Sequence, residues 1–151
     1  MSNGERPMSL QGMTITCPEG WRDASMLIVS ASAPSPSGLT PNLVITRETL
    51  SDSLPEDRIE RLHEFVDRQI DQMETALADF REVSLRRATS ARLTVELTIA
   101  WTSGGVPVTQ SITYAYAGEK TVVISTATAS QDHFSEIEPQ FTKILQSFRI
   151  T

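Results

Sequence analysis

Between Arg92 and Ala117 the chain alternates with a period of two on either side of a Gly-Gly pair, and this leaves little choice of local structure. Leu93, Val95, Leu97, Ile99 and Trp101 fall on one side; Thr94, Glu96, Thr98 and Ala100 fall on the other. Successive side chains of a strand point to opposite faces, so Arg92–Thr102 is expected to be a strand with one apolar face. Ser103-Gly104-Gly105 supplies a turn, and Val108–Ala117 returns as the partner strand. Pairing about Gly104-Gly105 sets Ile99 opposite Gln110, Leu97 opposite Ile112 and Val95 opposite Tyr114. One face of this hairpin is large and apolar, with Gln110 set in it.

Shorter strands are expected at Met13–Cys17, closed by Pro18-Glu19-Gly20, at Met26–Ala31, and at Leu43–Arg47. Pro34-Ser35-Pro36-Ser37-Gly38 reads as a mobile loop. Ser53-Leu54-Pro55-Glu56 has the form of a capping box with proline in the first turn. From there Ile59, Leu62, Val66, Ile70, Met73 and Leu77 recur at helical spacing, which predicts a helix from Leu54 to Ala78, about six turns long. Val83–Arg87 reads as a short strand and Thr121–Ala127 as a longer one. A terminal helix carries Phe134, Ile137, Phe141, Ile144, Leu145 and Phe148, and Pro139 limits how far upstream it stays regular. The order predicts an α+β sandwich: an antiparallel sheet of about six strands with two principal helices. Residues 13–151 form one domain behind a flexible polar leader, residues 1–12.

With a net charge of −6 and scattered basic residues, nucleic acid and anionic membrane are poor partners, since phosphate contacts need concentrated Lys and Arg. The single cysteine, Cys17, excludes an intramolecular disulfide, so the fold does not call for an oxidising compartment. Thr14-Ile15-Thr16 before it has a strand pattern rather than that of a lipid-attachment site. No stretch approaches the ~20 apolar residues of a membrane helix, and the polar start is unlike a signal peptide. Together these features predict a cytoplasmic protein without stable membrane insertion.

Chemistry is sparse. His63 stands four residues before Asp67 on the long helix, a spacing that offers at most one edge of a metal site. His133 with Glu136 and Glu138 sits at a helix entry, where acidic residues favour the dipole. There is no Gly-x-Ser-x-Gly elbow and no activating motif beside Cys17, and Gly104-Gly105 belongs to a hairpin. No catalytic residue, metal or cofactor is expected. The polar residues on apolar faces are more suggestive: Gln69 heads a stripe with Met73 and Leu77, and Gln110 shares a face with Ile112 and Tyr114. A glutamine there is costly unless its amide is paired. It either bonds internally or keeps its amide free for an apolar guest.

Ile15-Thr16-Cys17-Pro18-Glu19-Gly20-Trp21-Arg22-Asp23, Leu43-Val44-Ile45-Thr46-Arg47-Glu48, Phe65-Val66-Asp67-Arg68-Gln69, the Trp101–Gln110 hairpin and Leu145-Gln146-Ser147-Phe148-Arg149 occur in that order. Through them the chain resembles the DcrB-like family with its PsbP-like fold, and within it the Eag chaperones of bacterial type VI secretion systems. The resemblance implies a small acidic cytosolic homodimer that binds the N-terminal transmembrane helices and pre-PAAR region of a PAAR- or Rhs-type effector before loading on the secretion spike. It places Gln69 and Gln110 in an apolar groove and implies Met26, Ile28, Met73, Leu77 and Ile112 as groove wall. The Pro34–Pro41 segment departs from the family pattern at one lip of that groove. An interaction or regulatory module of the same fold, binding a folded protein surface, is the other function such a chain could serve.

Overall fold

The structure, a computed structural model, describes residues 5–10 and 12–150. Strands β1 (Arg6–Leu10) and β2 (Met13–Cys17) pair antiparallel as a separate ribbon. Six further strands form one sheet: β3 (Leu27–Ser30), β4 (Asn42–Thr49), β5 (Arg81–Arg86), β6 (Thr94–Ser103), β7 (Val106–Tyr116) and β8 (Thr121–Ser130). Their order is β3-β4-β8-β7-β6-β5, and every neighbouring pair is antiparallel. Helices α1 (Arg58–Ala76) and α2 (Phe134–Ser147) complete the described chain.

Alternation along β8 assigns the helices to opposite faces of the sheet. Val122 and Ile124 pack with Leu62 and Val66 of α1, whereas Val123, Ala127 and Ala129 pack with Phe134 and Phe141 of α2. The antiparallel six-stranded sheet with two helices is the α+β sandwich that the pattern of elements predicts, and the structure adds that the helices lie on opposite faces. The central hairpin has the register expected from its sequence, with Ile99 opposite Gln110, Leu97 opposite Ile112 and Val95 opposite Tyr114. Gly104 and Gly105 have φ of 54° and 85°. Two successive positive φ values define a turn that suits the twist of a hairpin and favours glycine at both positions.

Three elements differ from expectation. α1 starts at Arg58 rather than near Leu54, and its N-cap is Asp57, whose carboxylate accepts from the Glu60 N–H at 3.0 Å. Leu54 lies in a turn that lets it enter the core at 7% exposure. The carbonyls of Pro55 and Glu56 are taken by the guanidinium of buried Arg61, which also reaches the Glu119 carbonyl at 3.0 Å. Those carbonyls are thus held outside the helix. The polar leader, expected to be flexible through residue 12, contains β1 instead; Met8 faces Ile15 across the ribbon, and the Ser9 and Thr14 hydroxyls are 3.0 Å apart. Residues 1–4 and 11 lie outside the described part. α2 runs through Pro139, and its first turn is closed by the Glu136 and Ile137 N–H groups on the His133 carbonyl.

Tyr114 anchors the α1 face. It is 1% exposed, and its ring stands edge-on to Phe65, with centroids 6.1 Å apart. Burial pushes its hydroxyl from 10.0 up to about 12, and the charge of Glu48 acts in the same direction. Below about pH 10 the group is neutral in both folded and unfolded chains; between about 10 and 12 the unfolded chain ionises first, so stability falls as pH rises through that window. The full difference is on the order of 2–3 kcal/mol. Urea midpoints measured at about pH 9.5 and about pH 12 should therefore fall less for Tyr114→Phe than for the natural chain.

Candidate functional site

The register of the sheet defines rows of side chains that cross all its strands on the α1 face. One row reads Ile28, Val44, Thr126, Ile112, Leu97 and Leu85; the next reads Ser30, Asn42, Thr128, Gln110 and Ile99. In the first row Leu97 and Ile112 are buried beneath α1, Thr126 and Val44 are half-buried, and Ile28 is 59% exposed. Exposure rises away from the helix. A bare trough therefore runs over β8, β4 and β3, walled on one side by α1.

Gln110 lies on β7, beside the trough, with its amide orientation determined. The Trp101 indole N–H can only donate, and it donates to Gln110 Oε1 at 2.8 Å. Nε2 is thereby turned toward β8, where it donates to Thr128 Oγ1 at 2.9 Å. Of the two accounts open from the sequence, internal pairing is the one found. One amide N–H and one lone pair of Oε1 are left over from these two bonds, so the group is held and still has capacity to bind.

Gln69 is half-buried on α1, about 20° around the helix from Leu62 and about 40° from Met73 at 100° per residue. Side-chain hydrogen bonds of α1 among the described residues involve Arg58, Arg61, His63, Glu64, Asp67, Arg68 and Thr75, but not Gln69. Its amide is the unspent one of the pair.

The other expected groove residues separate. Ile28 stands at the outer rim. Met73 and Leu77 are half-buried and pack against the α1-side core. Ile112, expected in the groove wall, is 4% exposed and belongs to that core, because α1 lies over β7. Met26 lies before β3 and lines a different hollow of about 230 Å³ with Ile45, Val123, Phe148 and Ile150. Val44, Thr126 and Thr128 were missed. Their signal was present: Thr126 and Thr128 continue the even-numbered face begun by Val122 and Ile124.

No metal-binding group is found among the described residues. His63 Nε2 accepts the Ala88 N–H at 3.0 Å, and Asp67 pairs with Arg87 at 2.8 Å, so these two do not make a metal edge. His133 stands 3.1 Å from Glu136 at the start of α2. Cys17 is buried at the end of β2.

The bare part of the opposite face has different chemistry. Over β5, β6 and β7 the α2 side presents Ser84, Arg86, Glu96, Thr98, Ser111 and Thr113. Water satisfies a surface of that kind. The α1 side of β8, β4 and β3 instead offers Ile28 and Val44 beside Thr126 and Thr128, with Asn42, Thr46 and Glu48 of β4 as further polar groups on that face.

The model of the DcrB family matches residues 13–147, and the chain belongs to that family. Among solved structures, PA94 of Pseudomonas aeruginosa, a protein of unknown function suggested to be a regulator, is similar over 99% of each chain, with a TM-score of 0.74 and 19% identity. This likeness shows a shared fold. LpqN of Mycobacterium tuberculosis, described as involved in cell envelope biogenesis, matches with a TM-score of 0.49 and 12% identity over 89% of this chain and 83% of its own. The cyanobacterial PsbP of Synechocystis sp. PCC 6803 matches at 0.48 and 11% identity over 100% and 95%. No curated protein matches the chain by sequence.

Gln110→Ala leaves the Trp101 N–H without its acceptor and should cost about 1–3 kcal/mol. Gln69→Ala should shift stability by less than about 0.5 kcal/mol, as a substitution that breaks no internal bond does. Urea denaturation of the two single variants checks the contrast.

Proposed function

We propose that this DcrB-family protein is a non-enzymatic cytosolic chaperone, working as a homodimer, that shields the N-terminal transmembrane segments of a type VI secretion effector of PAAR or Rhs type until the effector is loaded on the secretion spike. The observation that carries the reading is the bare trough on the α1 face. An apolar helix is about 10–12 Å across with its side chains, and the parts of β8, β4 and β3 that α1 leaves open, around Thr126, Val44 and Ile28, offer a floor roughly 10 Å wide at ordinary strand spacing.

The division of labour within the trough suits such a client. Ile28 and Val44 cover apolar surface that would otherwise aggregate in water. The small threonines Thr126 and Thr128 let a helix approach closely. The held amide of Gln110 and the unspent amide of Gln69 offer hydrogen bonds to the small or polar residues that line transmembrane helix interfaces. Among the described residues no helix of the chaperone is itself long and apolar enough to cross a membrane.

Co-expression with an effector N-terminus tests the proposal. The natural chain should keep the effector's apolar segment in the soluble fraction, and Val44→Lys, which sets a charge on the half-buried floor, should abolish that effect while leaving circular dichroism unchanged. Gln69→Ala should weaken capture without loss of stability. A segment equally soluble without the partner, or equally protected by folded Val44→Lys, contradicts the reading. A chain that ignores apolar helices but retains a folded partner would be the interaction or regulatory module instead.

A further inference from the structure

The two edges of the sheet follow opposite rules. β5 carries Arg81, Glu82 and Arg86, and its register with β6 slips between Glu82 and Ser84. Charges and bulges are both devices that keep an edge strand from pairing with another chain. β3, at the other edge, has neither. Leu27, Ile28 and Val29 are 46%, 59% and 49% exposed, so both faces of this strand are apolar and open. Although the net charge is −6, no charged residue occurs from Ala24 to Thr46.

The free main-chain groups of this edge follow from the ladder. The Ala31 N–H donates to the Pro41 carbonyl at 2.9 Å, and Val29 and Leu27 stand opposite Leu43 and Ile45. Bonded and non-bonded positions alternate along an antiparallel pair. Leu27, Val29 and Ala31 therefore turn their N–H and C=O groups toward β4, while Ile28 and Ser30 turn theirs outward.

We propose that β3 is the homodimer interface, with two copies pairing edge to edge about a twofold axis at Ile28. Ile28 then exchanges both main-chain hydrogen bonds with Ile28 of the partner subunit, and Leu27 faces Val29 of the partner subunit. A twofold that makes one strand antiparallel to its own copy stands perpendicular to the sheet. The same face of each sheet thus continues across the seam, and the two bare troughs lie on one side of a joined sheet with Ile28 between them.

A second copy is the occupant the chemistry favours. The uncharged edge lets two acidic chains meet without like charges facing each other, and the strand complements itself about the axis. Leu27, Ile28 and Val29, with Met26 45% exposed before them, offer apolar side chains on both faces of the edge for a second copy to cover.

The inference rests on the homodimer in the reading above and is independent of the client. Light scattering during size-exclusion chromatography should give the natural chain twice its 16.7 kDa. Ile28→Pro removes an outward N–H and spares the ladder with β4, since an edge strand tolerates proline there; Ile28→Lys sets two charges face to face. Each should halve the mass. Ile28→Cys should form an intermolecular disulfide on mild oxidation, because facing residues of a bonded pair lie about 5.5 Å apart. The natural chain, with Cys17 buried, and Ser84→Cys on the other edge should not. A monomeric natural chain overturns the dimer itself. A dimer that persists in folded Ile28→Lys and leaves Ile28→Cys uncrosslinked overturns this interface alone, and the cysteine variant still decides if the proline variant does not fold.

Discussion

A six-stranded sheet is wider than the single helix that covers each of its faces, and the rest of the structure follows from that mismatch. At ordinary strand spacing the sheet spans roughly 25 Å, while a helix with its side chains spans about 10–12 Å. Each face must leave strands bare. On the α2 side those over β5, β6 and β7 carry hydroxyl and charged groups, and water completes them. On the α1 side those at β8, β4 and β3 carry Val44 and Ile28 together with threonines, Ser30, Asn42 and Glu48. The same geometric shortfall is met by hydroxyl and charged side chains on one face, and on the other it leaves Val44 half-buried and Ile28 exposed.

The trough is held in shape by bonds along its α1 side. Trp101, Gln110 and Thr128 link β6, β7 and β8 through one amide. Arg61 fastens the start of α1 to the carbonyls of Pro55, Glu56 and Glu119, so the helix that walls the trough is tied to the β7–β8 turn. The Pro34–Gly38 loop, expected to be mobile, is tethered too: Ser35 is buried with its hydroxyl 3.3 Å from that of Ser130, and its N–H donates to the Leu39 carbonyl. A preformed site avoids part of the ordering cost that binding otherwise incurs.

The central hairpin was legible to the residue because alternation and a Gly-Gly turn leave one register. The α1 core stripe was legible for the same reason at helical period. The helix start was not, because Ser53-x-x-Glu56 and Asp57-x-x-Glu60 carry the same local signal; the carbonyl contacts of Arg61, distant in sequence from Glu119, decide between them. Ile112 was misplaced because strand parity names a face and not the part of it that a helix covers. Gln110 was found as a polar residue on an apolar face, yet its pairing with Thr128 depends on strand β8 and lay beyond the hairpin's own sequence. β1 went unseen, since a five-residue polar strand has no apolar run to announce it.

Site-specific photocrosslinking tests the central claim most directly. A benzophenone side chain placed at Thr126 stands on the trough floor, and one at Thr98 stands on the polar part of the opposite face. With an effector's apolar N-terminal segment co-expressed, irradiation should join that segment to the Thr126 position and leave the Thr98 position unreacted. Crosslinking at Thr98 with none at Thr126 would contradict the account.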